Sequence, residues 1–193
     1  MQKVAFITGC STGIGREMAL QLNEKGWKVV ATARKPETLT ALEKAGCLAL
    51  RLDVTDHSQI LEAVREAVRV LGRIDLLINN AGYGLIAPTM DISPEKLEQQ
   101  LQTNVSGVIS LIQEIAPVMK AQGGGTIVNT GSISGIAPTP FSGAYCATKA
   151  AIHAWSDVLR MELSPFNIKV ITLQPGGIVT DFGKNCVETV KSN

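Results

Sequence analysis

The sequence predicts an α/β protein built on a doubly wound parallel sheet, three layers deep, with helices on both faces. Three observations carry this. Short runs rich in β-branched and apolar residues alternate with longer stretches at helical spacing. Several of the short runs are apolar at successive positions, as strands covered on both faces must be. Glycines stand where a helical stretch ends and the next strand begins.

The strand-like runs are Val4 to Thr8, Lys28 to Ala33, Leu48 to Leu52, Ile74 to Ile78, Thr126 to Asn129 and Ile168 to Leu173. Between them the spacing predicts helices near 14–25, 37–45, 57–71, 94–121 and 144–163. Gly26, Gly46 and Gly72 each occupy the place of a left-handed C-terminal cap. Asp56 with Gln59 reads as a capping box, and Ser93 as an N-cap with Pro94 at the first helical position. Strands alternating with helices at these spacings imply right-handed crossovers within one sheet. No repeat, low-complexity segment or linker interrupts the pattern, so residues 1–193 read as a single domain.

Composition narrows the function classes. The 193 residues are 45% apolar, 18% charged and 4% aromatic, enough for a sizeable core. Eighteen basic and seventeen acidic residues leave a net charge of +1, which gives no general attraction to nucleic acid or an anionic membrane. No stretch approaches the roughly 18 apolar residues of a membrane span, and the N-terminal apolar run is too short for a signal peptide. Cys10, Cys47, Cys146 and Cys186 form no CxxC pair, and His57 and His153 add little to a metal-ligand inventory. The expectation is a reduced, cytoplasmic protein with no metal and no disulfide framework.

The first strand runs directly into Thr8-Gly9-Cys10-Ser11-Thr12-Gly13-Ile14-Gly15 and a helix. In that setting glycines let the backbone approach a pyrophosphate, and free amides at the helix N-terminus bind its oxygens. Ser11 and Thr12 offer hydroxyl donors as well. The spacing is GxxxGxG, and three glycines after a strand also serve a plain tight turn. The end of the second strand bears on the type of dinucleotide. An NAD site places an acid there, whereas Ala31-Thr32-Ala33-Arg34-Lys35 has none and ends in two cations. A guanidinium suits a 2′-phosphate, so Arg34, with Lys35 adding charge, predicts NADP(H). Asp53 reads equally as an acceptor for the adenine amino group and as a turn residue or helix cap.

Tyr145 and Lys149 stand four apart on a predicted helix and share one face. An ammonium beside a phenol stabilises phenolate and makes tyrosine a usable acid or base. Ser132, in Gly131-Ser132-Ile133-Ser134-Gly135, falls just beyond the fifth strand. The carboxyl ends of the strands form the ligand crevice of such a sheet, so Ser132 and the glycine turn share one rim.

These residues resemble the short-chain dehydrogenase/reductase family over essentially the whole chain. The matching elements are TGCSTGIG (8–15), Asp53-Val54, NNAG (79–82), Asn104 in TNVSG, Ser132, YxxxK (145–149) and PGGIVT (175–180), in that order. The resemblance implies a Rossmann-like fold and an NADP(H)-dependent carbonyl reductase or alcohol dehydrogenase. Tyr145 would transfer the proton, and Ser132 would orient the substrate carbonyl. Lys149 would lower the Tyr145 pKa and hold the nicotinamide ribose. Asn104 would hold a water in a proton relay and disturb its own helix. Gly9, Ser11, Thr12, Gly13, Ile14 and Gly15 would cradle the pyrophosphate. Asn80 and Ala81 would line the adenosine side, and Val54 and Gly82 would also meet the cofactor. Ile178 and Thr180 would meet the carboxamide, with Pro175 and Gly176 shaping its pocket. The helices at 94–121 and 144–163 correspond to a dimer contact in the family, which implies a homodimer or homotetramer.

ITGCSTGIG, ATAR and YCATKAAIHAWSDVLRMEL are most similar to the branch holding acyl-dihydroxyacetone phosphate reductases, 17β-hydroxysteroid dehydrogenases and retinol dehydrogenases. That similarity implies a lipid-like or steroid-like substrate. Ile133, Ile136, Pro138, Pro140 and Phe141 fit a greasy pocket or, equally, a packed loop. His153, two turns beyond Tyr145, reads as packing or a subunit contact. Trp27 and Trp155 read as core or interface side chains, and Cys10 and Cys146 lack a base that would make a nucleophile. The reading from a different class is a dinucleotide-binding regulatory or scaffold protein with weak catalysis. Family members continue past the PGxxxT segment with covering helices and a final strand. The C-terminal part is therefore expected to be missing, the 193 residues being a truncated or partly ordered version of a longer polypeptide. In that case Ile168 to Leu173 would form an exposed sheet edge.

Overall fold

A computed structural model of the chain describes residues 2–178, 180, 182, 183 and 186. Six strands form one all-parallel sheet: β1 (Val4–Ile7), β2 (Lys28–Ala33), β3 (Leu48–Arg51), β4 (Leu76–Asn79), β5 (Gly125–Thr130) and β6 (Ile168–Leu173). Their order is β3-β2-β1-β4-β5-β6, so the winding reverses between β1 and β4. That reversal opens a crevice at the strands' carboxyl ends, where ligands bind in such sheets.

The helices are α1 (Gly13–Glu24), α2 (Thr40–Lys44), α3 (His57–Leu71), α4 (Pro94–Leu101), α5 (Gly107–Ala121) and α6 (Gly143–Leu163). Alternation along β1 divides the core. Val4 and Phe6 face a cluster with α3, α5 and α6, while Ala5 and Ile7 face one with α1 and α2. All four β1 residues are buried, which explains why this strand reads as an unbroken apolar run. At the sheet's β6 end, Ile168 and Val170 are buried whereas Ile171 is 48% exposed. Among the described strands β6 is thus an edge, covered on one face by α6.

Caps appear where the sequence places them. Gly26, Gly46 and Gly72 all adopt positive φ, and the Gly72 amide closes α3 onto the Val68 carbonyl at 2.8 Å. Asp56 caps α3 by accepting from the Ser58 and Gln59 amides, but the capping box is altered. The Gln59 side chain bonds the Asp56 carboxylate and the Asp53 amide instead of reaching back to the cap's own amide. Ser93 accepts from the Lys96 amide with Pro94 in the first turn, as expected.

The single helix predicted over 94–121 is a correction. The structure divides it into α4 and α5 by a π-turn over Gln102–Ser106, where the Gly107 amide bonds the Gln102 carbonyl five residues back. The extra residue rotates the buried Asn104 inward, and Gly107 approaches the Val54 carbonyl too closely for any side chain. Periodicity alone does not distinguish such a turn from a continuous helix.

Candidate active site

The glycine turn forms because its backbone enters left-handed space and lies against β4's exit. Gly9 has φ +71°, and a Cβ there would stand 2.9 Å from the Ala81 Cα. Gly15 leaves room for the Asn80 amide and the Gly9 carbonyl, both of which a Cβ would strike. The Thr8 hydroxyl accepts from the Asn80 and Ala81 amides, each at 2.9 Å. Asn80 Nδ2 in turn donates to the Thr8 and Gly9 carbonyls at 3.0 and 3.2 Å. The turn and the segment after β4 are therefore locked together across the reversal point. Thr12, the α1 N-cap, makes no side-chain cap bond, and no acid occupies the first turn of α1. First-turn amides and the positive end of the helix dipole are thus directed at the crevice, a geometry suited to phosphate.

That crevice is a continuous cleft of about 1400 Å³. It brings together Gly9, Ser11, Thr12, Gly13 and Ile14 with Arg34 at the end of β2 and Asp53-Val54 beyond β3. It continues past Asn80, Ala81 and Gly82 to Ser132, Tyr145 and Lys149, and is closed by Pro175, Gly176, Ile178 and Thr180. The Thr180 Cβ lies 3.6 Å from where a Cβ on Gly13 would be, so this segment sits over the turn. Gly15, Lys35 and Asn104 do not line the cleft. Gly15 serves close packing, and Lys35 is an exposed residue whose carbonyl accepts from Thr38. Asp53 lines the cleft while its Oδ1 accepts from the Thr55 amide and hydroxyl, which makes it a turn residue whatever else it binds.

The Asn104 side chain lies behind the cleft, between the segment after β4 and α6. It is 1% exposed, and its Oδ1 accepts from the Tyr83 amide at 3.1 Å. Its Nδ2 donates to the Tyr83 carbonyl at 2.9 Å and to the Thr148 hydroxyl at 3.1 Å. The side chain is committed to bracing the segment after β4 against α6. The local disturbance of its helix, by contrast, is present as the π-turn.

Ser132 and Tyr145 meet across the cleft from the β5 exit and the first turn of α6. Ser132 is extended at φ −169° and nearly buried, and its Oγ accepts from the Ser134 amide at 3.1 Å. The hydroxyl also faces the Tyr145 phenol across the cleft. Burial pushes Tyr145 above the usual 10, the nearby Ser132 hydroxyl opposes this, and the thiols of Cys186 and Cys146 add to the rise. Lys149 is buried, its Nζ donating to the Thr130 carbonyl at 2.6 Å and standing 5.6 Å from the Tyr145 ring centre. Burial lowers its pKa from 10.5 to about 8. In this geometry burial dominates the environment of the Tyr145 phenol.

Sequence reasoning passed over several groups. Thr8 braces the reversal point, and Phe182 packs its ring 5.7 Å from that of Tyr145, tilted by 52°. Tyr83 lines the cleft, and its main chain is the hub for Asn104 and Gln100. Only Thr8 carried a signal, as the first residue of the glycine motif. Among the described residues no cluster of acids, histidines and cysteines could hold a metal, and no helix is long and apolar enough to cross a membrane.

A doubly wound parallel sheet with a glycine turn and an uncapped helix at its reversal point defines a nucleotide-binding protein. The family model described as short chain dehydrogenase matches residues 3–191, and the chain belongs to the short-chain dehydrogenase/reductase family of oxidoreductases. It is 40% identical over 190 residues to the oxidoreductase YbbO of Escherichia coli K12, covering 98% of this chain and 71% of that one. It is 40% identical over 182 residues to an NADPH-dependent 1-acyldihydroxyacetone phosphate reductase of Schizosaccharomyces pombe, covering 93% of this chain and 61% of that protein. Among solved structures, 3-ketoacyl-(acyl-carrier-protein) reductase of Brucella melitensis, complexed with NADH, superimposes with a TM-score of 0.92 at 29% identity. That match covers 95% of this chain and 78% of the other.

Proposed function

We propose that the chain is an NADP(H)-dependent reductase of lipid-like carbonyl compounds, or the dehydrogenase of the corresponding secondary alcohols. The observation that carries this is one cleft holding both Arg34, which follows Ala33 where an NAD site would place an acid, and the Ser132–Tyr145–Lys149 cluster. A dinucleotide reading is supported by Gly9, Ser11, Thr12 and Gly13 along the cleft wall and by the uncapped N-terminus of α1. When bound, the nicotinamide supplies the hydride. Arg34 would hold a 2′-phosphate in bidentate fashion, while first-turn amides of α1 bind the pyrophosphate. The yeast relative named as NADPH-dependent supports this choice, although the Brucella neighbour was solved with NADH.

Ser132 would donate its hydroxyl proton to the substrate carbonyl and so orient it. Tyr145 would deliver its proton to the same oxygen in the reductive direction. Lys149, with a pKa of about 8, would hold the ribose and refill the proton. Beyond Ser132 the large exposed side chains are apolar, with Ile133 49%, Ile136 60% and Phe141 61% accessible, which supports an aliphatic substrate over a sugar. Leu97 and Leu101 on α4 and Trp155, Val158 and Met161 on α6 are also exposed, which supports a homodimer or homotetramer built on these helices.

The test is NADPH oxidation by the purified protein with methyl undecyl ketone and with free dihydroxyacetone. Reduction of the long-chain ketone is expected. Turnover confined to the small polar ketone would refute the substrate reading. Fluorescence enhancement of NADPH without turnover of either would favour a binding module instead of an enzyme.

A further inference from the structure

His153 sits eight residues beyond Tyr145 on α6, about 12 Å farther along the helix axis. Its imidazole nevertheless turns back to the segment that carries Ser132. His153 Nε2 accepts from the Ser132 amide at 3.4 Å. The two glycines flanking Ser132 supply the space for the ring. A Cβ on Gly131 would strike His153 Nε2, and one on Gly135 would stand 2.6 Å from His153 Cε1. The ring therefore lies in a cradle made by the chain on either side of Ser132.

We infer that His153 is a positioning residue: by holding the Ser132 amide it fixes the Ser132 hydroxyl at the Tyr145 phenol. The inference rests on the proposed pairing of Ser132 and Tyr145. Ser132 has few other tethers. Its hydroxyl accepts from Ser134 within the same turn, and the neighbouring Ile133 amide bonds the Pro175 carbonyl at 3.2 Å. Among the described residues, only the hydrogen bond to His153 ties the Ser132 main chain to α6, the helix that also carries Tyr145 and Lys149. Acceptance at Nε2 requires the neutral ring with its proton on Nδ1. Burial, and then the Lys149 ammonium, hold the imidazole below its usual pKa, against a smaller opposing effect of Asp157. The Gly131–Gly135 segment contributes no ionisable group to the ring.

The experiment compares His153→Gln, whose Oε1 can accept where Nε2 does, with His153→Leu, which fills the cradle without an acceptor. NADPH affinity is read by fluorescence, and kcat and KM are read with methyl undecyl ketone. His153→Leu should lower kcat about ten-fold with the NADPH Kd within two-fold of wild type, and His153→Gln should recover kcat to within about two-fold. His153→Asn, a carbon too short to reach the amide, should behave as Leu does and replaces it if the Leu variant does not fold. Wild-type kcat in His153→Leu, or equal losses in all three variants, would overturn the inference. Tyr145→Phe is measured alongside. If it turns over normally, the pairing itself is wrong; if it is inactive while His153→Leu is unimpaired, only the role of His153 falls.

Discussion

Replacing Asn104 with Ala separates a brace from a proton relay, and the structure sets the size of the effect. Three hydrogen bonds disappear, but their partners differ. The Tyr83 carbonyl keeps the Gln100 amide at 3.1 Å, and the Thr148 hydroxyl keeps its bond to the Tyr145 carbonyl at 2.8 Å. The Tyr83 amide is bonded to Asn104 Oδ1 and loses that acceptor in the interior. Leaving one buried donor unsatisfied costs about 1–3 kcal/mol, and each of the other two bonds contributes about 0.5–1.5 kcal/mol. A loss of about 2–6 kcal/mol is expected, equivalent to a fall in Tm of roughly 4–24 °C for a domain of this size. Urea unfolding followed by circular dichroism, with and without NADPH, measures it. A destabilisation below about 1 kcal/mol combined with collapsed turnover would refute the brace and restore the relay as this residue's main role.

Other outcomes follow from the same geometry. Arg34→Ala should weaken NADPH by roughly ten- to a hundred-fold and leave NADH within two-fold, the loss of a charge-assisted phosphate contact of about 1.5–3 kcal/mol. Equilibrium fluorescence titration reads both, and equal affinities in the unmodified protein would remove the basis for NADP(H) selectivity. Tyr145→Phe should keep NADPH affinity and lose roughly a hundred- to ten-thousand-fold in kcat, since the ring remains while the transferable proton is gone. Steady-state kinetics showing a substantial residual rate would assign the proton to another group. Lys149 predicts a pH effect on stability. Its folded pKa of about 8 lies below the ordinary 10.5, so between these values the unfolded chain binds more protons and stability rises with pH. The difference in unfolding free energy between wild type and Lys149→Met should therefore shift in favour of wild type from pH 8 to 10.5 by about 3 kcal/mol. A flat difference across that window would show that Lys149 is solvated.

Local chemistry made much of this protein legible from its residues alone. Apolar runs such as Val4–Ile7 read as strands because burial on both faces removes alternation, and Gly26, Gly46 and Gly72 read as caps because left-handed backbone favours glycine. The glycine turn and the Tyr145/Lys149 spacing are short-range patterns as well, and the structure brings them to one cleft. What only the tertiary structure decided depends on groups far apart in the chain. Thr8 bonds the Asn80 and Ala81 amides some seventy residues away, and Asn104 reaches Tyr83 and Thr148 across separations of 21 and 44. The stretch expected as a helix near 94–121 is two helices joined by a π-turn at Asn104, the residue expected to disturb its own helix. Arg34 lines the cleft and Lys35 does not, although adjacent cations look alike in sequence. His153, read as packing or a subunit contact, meets Ser132 only because two glycines 22 and 18 residues upstream fold against its helix. Periodicity and turn chemistry act over a few residues and are written in order along the chain. The partner of a buried amide or carbonyl is chosen by how the layers pack, and that choice assigned Asn104 and His153 their places.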